Sequence, residues 1–115
     1  MKAHDVIGAL GALAQESRLA VFRLLVRRGP QGYTPGELAE RLGIPAPTLS
    51  FHLKELQRVD LVLVQREGRF LTYTANFPQM NNLLGFLTEN CCSLSGETCE
   101  TTCPPAAVRQ TRKRA

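Results

Sequence analysis

Residues 34–56, TPGELAERLGIPAPTLSFHLKEL, decide the fold of this chain of 115 residues. Thr34 can cap a helix, and Glu37, three residues later, can complete a capping box. That helix should end at Gly43, because glycine accepts the left-handed conformation of a helix C-terminus. The helix that follows carries three leucines on one face: Leu49, Leu53 and Leu56. Two short helices joined by a tight glycine-containing turn predict a helix-turn-helix.

The sequence around this motif predicts further helices and a hairpin. The spacing of apolar residues indicates helices over 4–14, 17–28 and 77–90, the last capped by Asn76. Residues 61–66 and 69–74 are typical of two strands joined by a turn at Glu67-Gly68. The predicted fold class is therefore mainly α with a small β-hairpin, a winged helix-turn-helix. We expect it to be dimeric, because a chain this short buries little of its surface alone.

Composition is that of a globular protein, with 43% apolar and 21% charged residues. No run of about 18 apolar residues and no signal peptide is visible, so we expect one cytoplasmic domain without membrane contact. The net charge of +4 favours an anionic partner only weakly, because residues 34–76 are neutral overall. No paired carboxylates, nucleophile–base pair or phosphate loop indicates an enzyme.

The second helix of the motif should enter the major groove of double-stranded DNA. If its leucines face the core, its exposed residues are Thr48, Ser50, Phe51, His52 and Lys54. Hydroxyl and amino groups can contact phosphates or base edges, and Phe51 can contact a thymine methyl. At the hairpin tip, Arg66 and Arg69 can reach the backbone or the minor groove. His52 has an alternative interpretation as a partly buried histidine bonded to a backbone carbonyl.

These motifs together resemble the ArsR (ArsR/SmtB) family of bacterial winged-helix repressors. The resemblance covers roughly residues 5–90 and is carried by LAERLG at 38–43, TLSFHLKEL at 48–56, Leu61-Val62, REGR at 66–69 and Tyr73. It implies a homodimer built from the first and last helices. Such a dimer would bind operator DNA and leave it when an inducer binds.

Two features depart from the family pattern. The segment Pro45-Ala46-Pro47 stands where members commonly have a polar Ser-Gln-Ser type sequence, so the base contacts shift toward Thr48 and beyond. Arsenic-sensing members of the original type carry a Cys-Val-Cys pair in the first helix of the motif. The matching residues here, 36–39, contain no thiol, so an arsenic site would have to lie elsewhere.

All four cysteines fall in one short segment: Cys91, Cys92, Cys99 and Cys103. Because this segment is rich in Ser, Thr, Gly and Glu, it cannot form a core, and thiol chemistry is the expected role. Three thiolates suit a soft centre such as trivalent arsenic or antimony, whereas zinc prefers four ligands in C-x2-C pairs. The expected ligands are Cys91 and Cys92 with Cys99 or Cys103, and Cys91 would continue the apolar stripe of the last helix.

The resemblance includes an arsenic-responsive subgroup with a Cys-Cys pair after the last helix and a further cysteine downstream. It therefore implies a repressor with no permanent cofactor and with As(III) or Sb(III) as inducer. A redox switch, a divalent soft metal and an ordinary buried cysteine remain alternatives. The expected organisation is a DNA-binding and dimerisation domain over 1–90, an inducer-binding segment over 91–103 and a disordered basic tail over 104–115.

Overall fold

The computed structural model describes residues 1–95, and that part of the chain contains five α-helices and one antiparallel hairpin. The helices are α1 (Ala3–Leu13), α2 (Glu16–Arg28), α3 (Pro35–Leu42), α4 (Ala46–Arg58) and α5 (Phe77–Leu87). The strands are β1 (Val62–Glu67) and β2 (Phe70–Ala75), and a 3₁₀ turn, Gly29–Gln31, follows α2. This order confirms the predicted winged helix-turn-helix. Of the described helices, none is long and apolar enough to span a membrane.

The chain divides into two compact units, Met1–Leu83 and a second that begins at Leu84. In the first unit α2 lies at the centre and contacts α1, α3, α4 and β2. The largest fully buried side chains of this unit are Val21, Leu25, Leu38, Leu49, Leu53, Leu56, Leu61 and Val62. Burying one such side chain stabilises the fold by roughly 1.5–3 kcal/mol. The three leucines predicted for the inner face of α4 are among them, so that face points into the core.

The start and end of α3 follow the local sequence signals. Thr34 Oγ1 accepts from the Glu37 amide at 3.2 Å, and Glu37 Oε1 accepts from the Thr34 amide at 2.9 Å. This is the predicted capping box. Gly43 ends the helix with φ of 66°, a left-handed conformation that costs glycine no steric strain. The turn to α4 is therefore set by residues within the motif itself.

The hairpin turn lies one residue later than the sequence predicts. Strand β1 continues through Glu67, which pairs with Phe70, so the two turn residues are Gly68 and Arg69. Only Gly68 has positive φ, 61°, which fits the glycine-first turn that joins two-residue hairpins. On the outer side of β2, the Tyr73 amide donates to the Tyr33 carbonyl at 2.8 Å, and the Tyr33 amide donates to the Tyr73 carbonyl at 3.0 Å. This bridge attaches the α2–α3 connection to the hairpin.

Helix α5 begins as predicted, with Asn76 Oδ1 accepting from the Gln79 amide, but it ends at Leu87 rather than residue 90. From Glu89 onward the backbone changes to i→i−3 bonds, and Thr88 Oγ1 donates at 2.9 Å to the same Leu84 carbonyl that accepts from the Thr88 amide. Such side-chain bonds compete with the helical pattern. Asn90 then adopts φ of 57°, a left-handed conformation that asparagine tolerates. The expectation that Cys91 continues the stripe of α5 is therefore wrong, because Cys91 lies in a turn.

Candidate nucleic-acid interface and thiol pair

Helix α4 presents a polar surface opposite its buried leucines. Four of the residues predicted to contact DNA are exposed on it: Thr48, Ser50, Phe51 and Lys54. Phe51 is 56% exposed, an unusual position for a large apolar ring. Because Leu49, Leu53 and Leu56 are at most 2% exposed, the opposite face of the helix is fixed in the core. The exposed residues are therefore presented on a rigid element, as a reading helix requires.

His52 does not belong to this exposed surface. Its side chain is only 6% exposed, and Arg18 Nη1 lies 3.4 Å from its Nδ1 atom. Arginine can only donate, so Nδ1 accepts and the ring proton is on Nε2. The predicted exposure of His52 is wrong, and its partner is a guanidinium, not a backbone carbonyl. The helical period contained the signal, because His52 stands three residues after Leu49 and four before Leu56.

The same arginine joins three helices. Arg18 Nε donates to the carbonyl of Ala12 in α1 at 2.7 Å, and the Arg18 amide donates to Gln15 Oε1 at the start of α2. Its Nη1 atom reaches His52 of α4. Burial, and next the charge of Arg18, lower the pKa of His52 below its ordinary value. His52 is therefore a structural group that holds α4 while it is neutral.

The tip of the hairpin carries exposed basic and aromatic side chains. Arg66 and Arg69 are both exposed there, as predicted. Phe70, which the sequence pattern did not single out, has a ring 70% exposed next to Arg69. With the turn placed at Gly68-Arg69, Phe70 becomes the first residue of β2. The alternation of inward and outward side chains along a strand could then have indicated that Phe70 is exposed. The wing thus presents two guanidiniums and an apolar ring.

A second basic cluster was also missed. The guanidinium carbons of Arg28 and Arg41 lie 4.6 and 4.9 Å from the centre of the Tyr33 ring. Both distances fall within the range of cation–π contacts. Arg28 is at the end of α2 and Arg41 is in the last turn of α3, so the contact depends on the tertiary fold. Sequence spacing alone gave no signal for it.

The second unit contains the vicinal thiols. Cys91 Sγ and Cys92 Sγ lie 3.6 Å apart, and Cys92 has φ of 63°. The hydrogen bond with Cys92 raises the pKa of the Cys91 thiol, and desolvation adds to this. Cys99 and Cys103, the other two predicted ligands, lie outside the described residues, as do the boundaries predicted at 103 and 104.

The sulfur–sulfur distance fits a single soft centre. Metal–sulfur bonds of about 2.3 Å would join two sulfurs 3.6 Å apart at an angle of about 100°. That angle is near both the pyramidal geometry of trivalent arsenic and a tetrahedral one. Within residues 1–95, however, no group of three or more His, Cys, Asp or Glu side chains could hold a metal ion. Of the ligands that such a site needs, the described residues would therefore supply two.

Comparison with known proteins identifies the motif. A family model described as a helix-turn-helix domain matches residues 13–65. The HTH-type transcriptional regulator NmtR of Mycobacterium tuberculosis is 38% identical over 72 residues, which cover 63% of this chain and 58% of that protein. The nodulation protein NolR of Rhizobium meliloti is 29% identical over 87 residues, or 76% of this chain and 69% of that protein. The chain thus spans between 58% and 69% of these relatives.

Solved structures show the same architecture. NolR from Sinorhizobium fredii has a TM-score of 0.61 at 30% identity, over 76% of this chain and 84% of that chain. An ArsR-like transcriptional regulator from Rhodococcus sp. RHA1 shares the fold at 24% identity, with a TM-score of 0.70 over 80% of this chain and 84% of that chain. A homodimeric winged helix-turn-helix DNA-binding domain from Mycobacterium bovis shares the fold at 23% identity, with a TM-score of 0.59 over 76% of this chain and 82% of that chain.

The fold and the exposed face of α4 define a winged helix-turn-helix protein. Together with the matched helix-turn-helix model and the relatives, they identify the family. The chain belongs to the helix-turn-helix transcriptional regulators, and it shares the fold of an ArsR-like regulator.

Proposed function

We propose that this chain is a homodimeric repressor that binds double-stranded operator DNA and is released when trivalent arsenic, or antimony, binds its C-terminal cysteines. The observation that carries DNA binding is the exposed polar face of α4 opposite its fully buried leucines. Its relatives are regulators of the helix-turn-helix type, which supports the same activity. The proposed location is the cytoplasm.

In the proposed complex α4 lies in the major groove, which is about 12 Å wide and admits a helix. Thr48, Ser50 and Lys54 would contact base edges and phosphates, and Phe51 would contact thymine methyl groups. Arg66 and Arg69 of the wing would bind the backbone or enter the minor groove. His52 is left out of this surface because it is buried against Arg18.

Dimerisation is supported by apolar side chains that each unit leaves exposed. In α1 of the first unit, Ile7 is 70% and Leu10 is 41% exposed. In the second unit, Leu84 and Leu87 are exposed as well. Apolar side chains at helical spacing on a surface are typical of protein–protein contacts. A symmetric dimer would place its two reading helices about 34 Å apart, one turn of DNA.

The inducer is proposed from the thiol pair. Two sulfurs 3.6 Å apart are already spaced for one soft centre, and Cys99 or Cys103 would add the third ligand. Each thiol would replace one hydroxyl of arsenous acid and release one water, so the exchange needs no oxidant. A redox switch would instead need an oxidant to join two sulfurs as a disulfide. Reducing conditions therefore separate the two mechanisms.

DNA binding can be tested by selecting a duplex from a random library with the full chain under strong reductant. We expect Lys54→Ala and Ser50→Ala each to weaken binding to the selected duplex by roughly 1–3 kcal/mol, the value of a good base contact. Gln57→Ala is the matched control, because Gln57 is exposed on the same helix near its other end and should leave affinity unchanged. Failure to enrich any sequence, or equal affinities for all three variants, would reject the proposed reading helix.

A further inference from the structure

Tyr33 holds two arginines at one place on the surface. Its side chain is only 7% exposed, and the guanidinium carbons of Arg28 and Arg41 lie 4.6 and 4.9 Å from the ring centre. Arg28 Nε also donates to the Gly32 carbonyl at 3.0 Å, which leaves its two terminal amino groups for other partners. Both arginines are nevertheless exposed residues. Their positions are thus restricted while their terminal groups remain accessible to a ligand.

The charge of this cluster is not neutralised within the described chain. Among residues 1–95, no carboxylate comes within 4.0 Å of either guanidinium. Glu37 is an acidic group that interacts electrostatically with the cluster. Its pKa is lowered mainly by the hydrogen bond from the Thr34 backbone, and the charges of both arginines lower it further. Its Oε1 atom is already bonded to Thr34. Two positive charges and one negative charge leave the cluster with a surplus of one positive charge.

The position of the cluster points to one kind of ligand. Arg41 belongs to α3, the first helix of the helix-turn-helix, and Arg28 belongs to the end of α2, which leads into it. The first helix of this motif crosses the DNA backbone while the second reads the groove. Guanidiniums are suited to phosphate because their planar N–H groups can bind two oxygens together.

We propose that Arg28 and Arg41, held against the ring of Tyr33, form a phosphate-binding site for the DNA backbone beside α3. The inference rests on the proposed DNA-binding function and adds a contact surface separate from α4 and the wing. Because the ring already restricts both side chains, binding a phosphate immobilises them less than it would two unrestrained arginines. The contact carries no base information, so it acts on every duplex sequence alike.

The test measures how salt weakens binding of the full chain to a labelled duplex of about 30 base pairs with random sequence. Each phosphate contact contributes about 0.9 to the slope of log affinity against log salt. We expect Arg28→Gln and Arg41→Gln each to lower the slope by about this amount. For each glutamine variant, the ratio of wild-type affinity to variant affinity should then fall about 3.5-fold between 50 and 200 mM salt. Arg41→Lys keeps the charge and should keep the slope.

Arg23→Gln is the matched control, since it removes one exposed positive charge of α2 outside the cluster and should leave the slope unchanged. Circular dichroism and thermal unfolding confirm that each variant is folded. If Arg28→Gln does not fold, Arg41→Gln decides alone, because Arg41 does not bond to Gly32. Wild-type slopes in both glutamine variants would overturn the inference while leaving the proposed function intact. A wild type that binds no duplex would reject the function itself.

Discussion

Individual side chains on α4 divide into two groups with different roles. Lys54 and Ser50 are exposed and can be changed with little effect on the core. His52 is buried and contacts Arg18, which also bonds to α1. A substitution at His52 should therefore act through stability, whereas one at Lys54 should act through DNA affinity. The two kinds of effect are separable because the residues are two positions apart on opposite sides of one helix.

Acidification should destabilise the fold through His52. Burial and the Arg18 charge lower its folded-state pKa, while the unfolded chain titrates near 6.5. The unfolded state thus binds more protons, so stability is complete above about pH 6.5 and is lost as pH falls through the folded pKa. We expect the Tm to fall between about pH 7.5 and 5.5, above the range in which carboxylates titrate. Circular dichroism at several pH values measures this.

His52→Gln should flatten that pH dependence because it removes the titrating group. His4→Gln is the control, since His4 is exposed and far in sequence from the Arg18 contact. A wild-type Tm that does not change over this range would contradict the role assigned to His52. So would a His4→Gln variant that flattens the profile as much as His52→Gln.

The sequence was sufficient to place most exposed and buried residues of α4 but not the contacts between elements. Helical period separated Leu49, Leu53 and Leu56 from Thr48 and Lys54, since that distinction is local. Applied strictly, the same period also places His52 inside. The contact of Arg18 with His52 could not be predicted, because the two residues are 34 positions apart. The cluster around Tyr33 could not be predicted either, because tertiary packing brings its residues together from different elements.

Helices and strands were predicted best where capping or turn chemistry acts locally. The capping box of Thr34 and the left-handed Gly43 define α3, and both are present. The predicted hairpin turn was one residue off, because Glu67-Gly68 and Gly68-Arg69 are both acceptable two-residue turns by sequence. The end of α5 was placed three residues late, because Thr88 and Glu89 are both compatible with a helix by sequence. Only the observed change to i→i−3 bonds at Glu89 and Cys91 ends it.

The bridge between the α2–α3 connection and β2 depends on Gly32. It has φ of 68°, and a Cβ atom there would lie 2.5 Å from the Tyr73 carbonyl oxygen. Gly32→Ala therefore combines left-handed strain with a backbone clash, and the strain alone costs about 1–3 kcal/mol. We expect a clear loss of unfolding free energy in denaturant titrations.

Gly36→Ala is the control for this substitution, because Gly36 lies within α3 without positive φ, and an added Cβ would have no neighbouring atom within 4 Å. Alanine should stabilise a helix there by roughly 0.5–1 kcal/mol. Equal effects of the two substitutions would show that the bridge does not require glycine at position 32.

As an assembled molecule, the proposed repressor needs coupling between the thiols and the DNA-binding surface. Changing the dimer from mostly bound to mostly released requires a difference of roughly 5 kcal/mol between the two states. One allosteric site typically supplies about 1–3 kcal/mol, so two sites per dimer acting together could provide it. Metalloid binding would tie Cys99 or Cys103 to the pair just beyond α5, a helix that the family resemblance places in the dimer interface.

The most direct test follows fluorescence anisotropy of the selected duplex while arsenite is added to the dimer under strong reductant. We predict release at low micromolar arsenite, loss of this response in Cys92→Ser with DNA affinity retained, and a normal response in the Ser93→Ala control. Release by peroxide but not by arsenite would assign the thiols to a redox switch. Undiminished binding of the reduced wild-type protein at saturating arsenite would contradict the central claim.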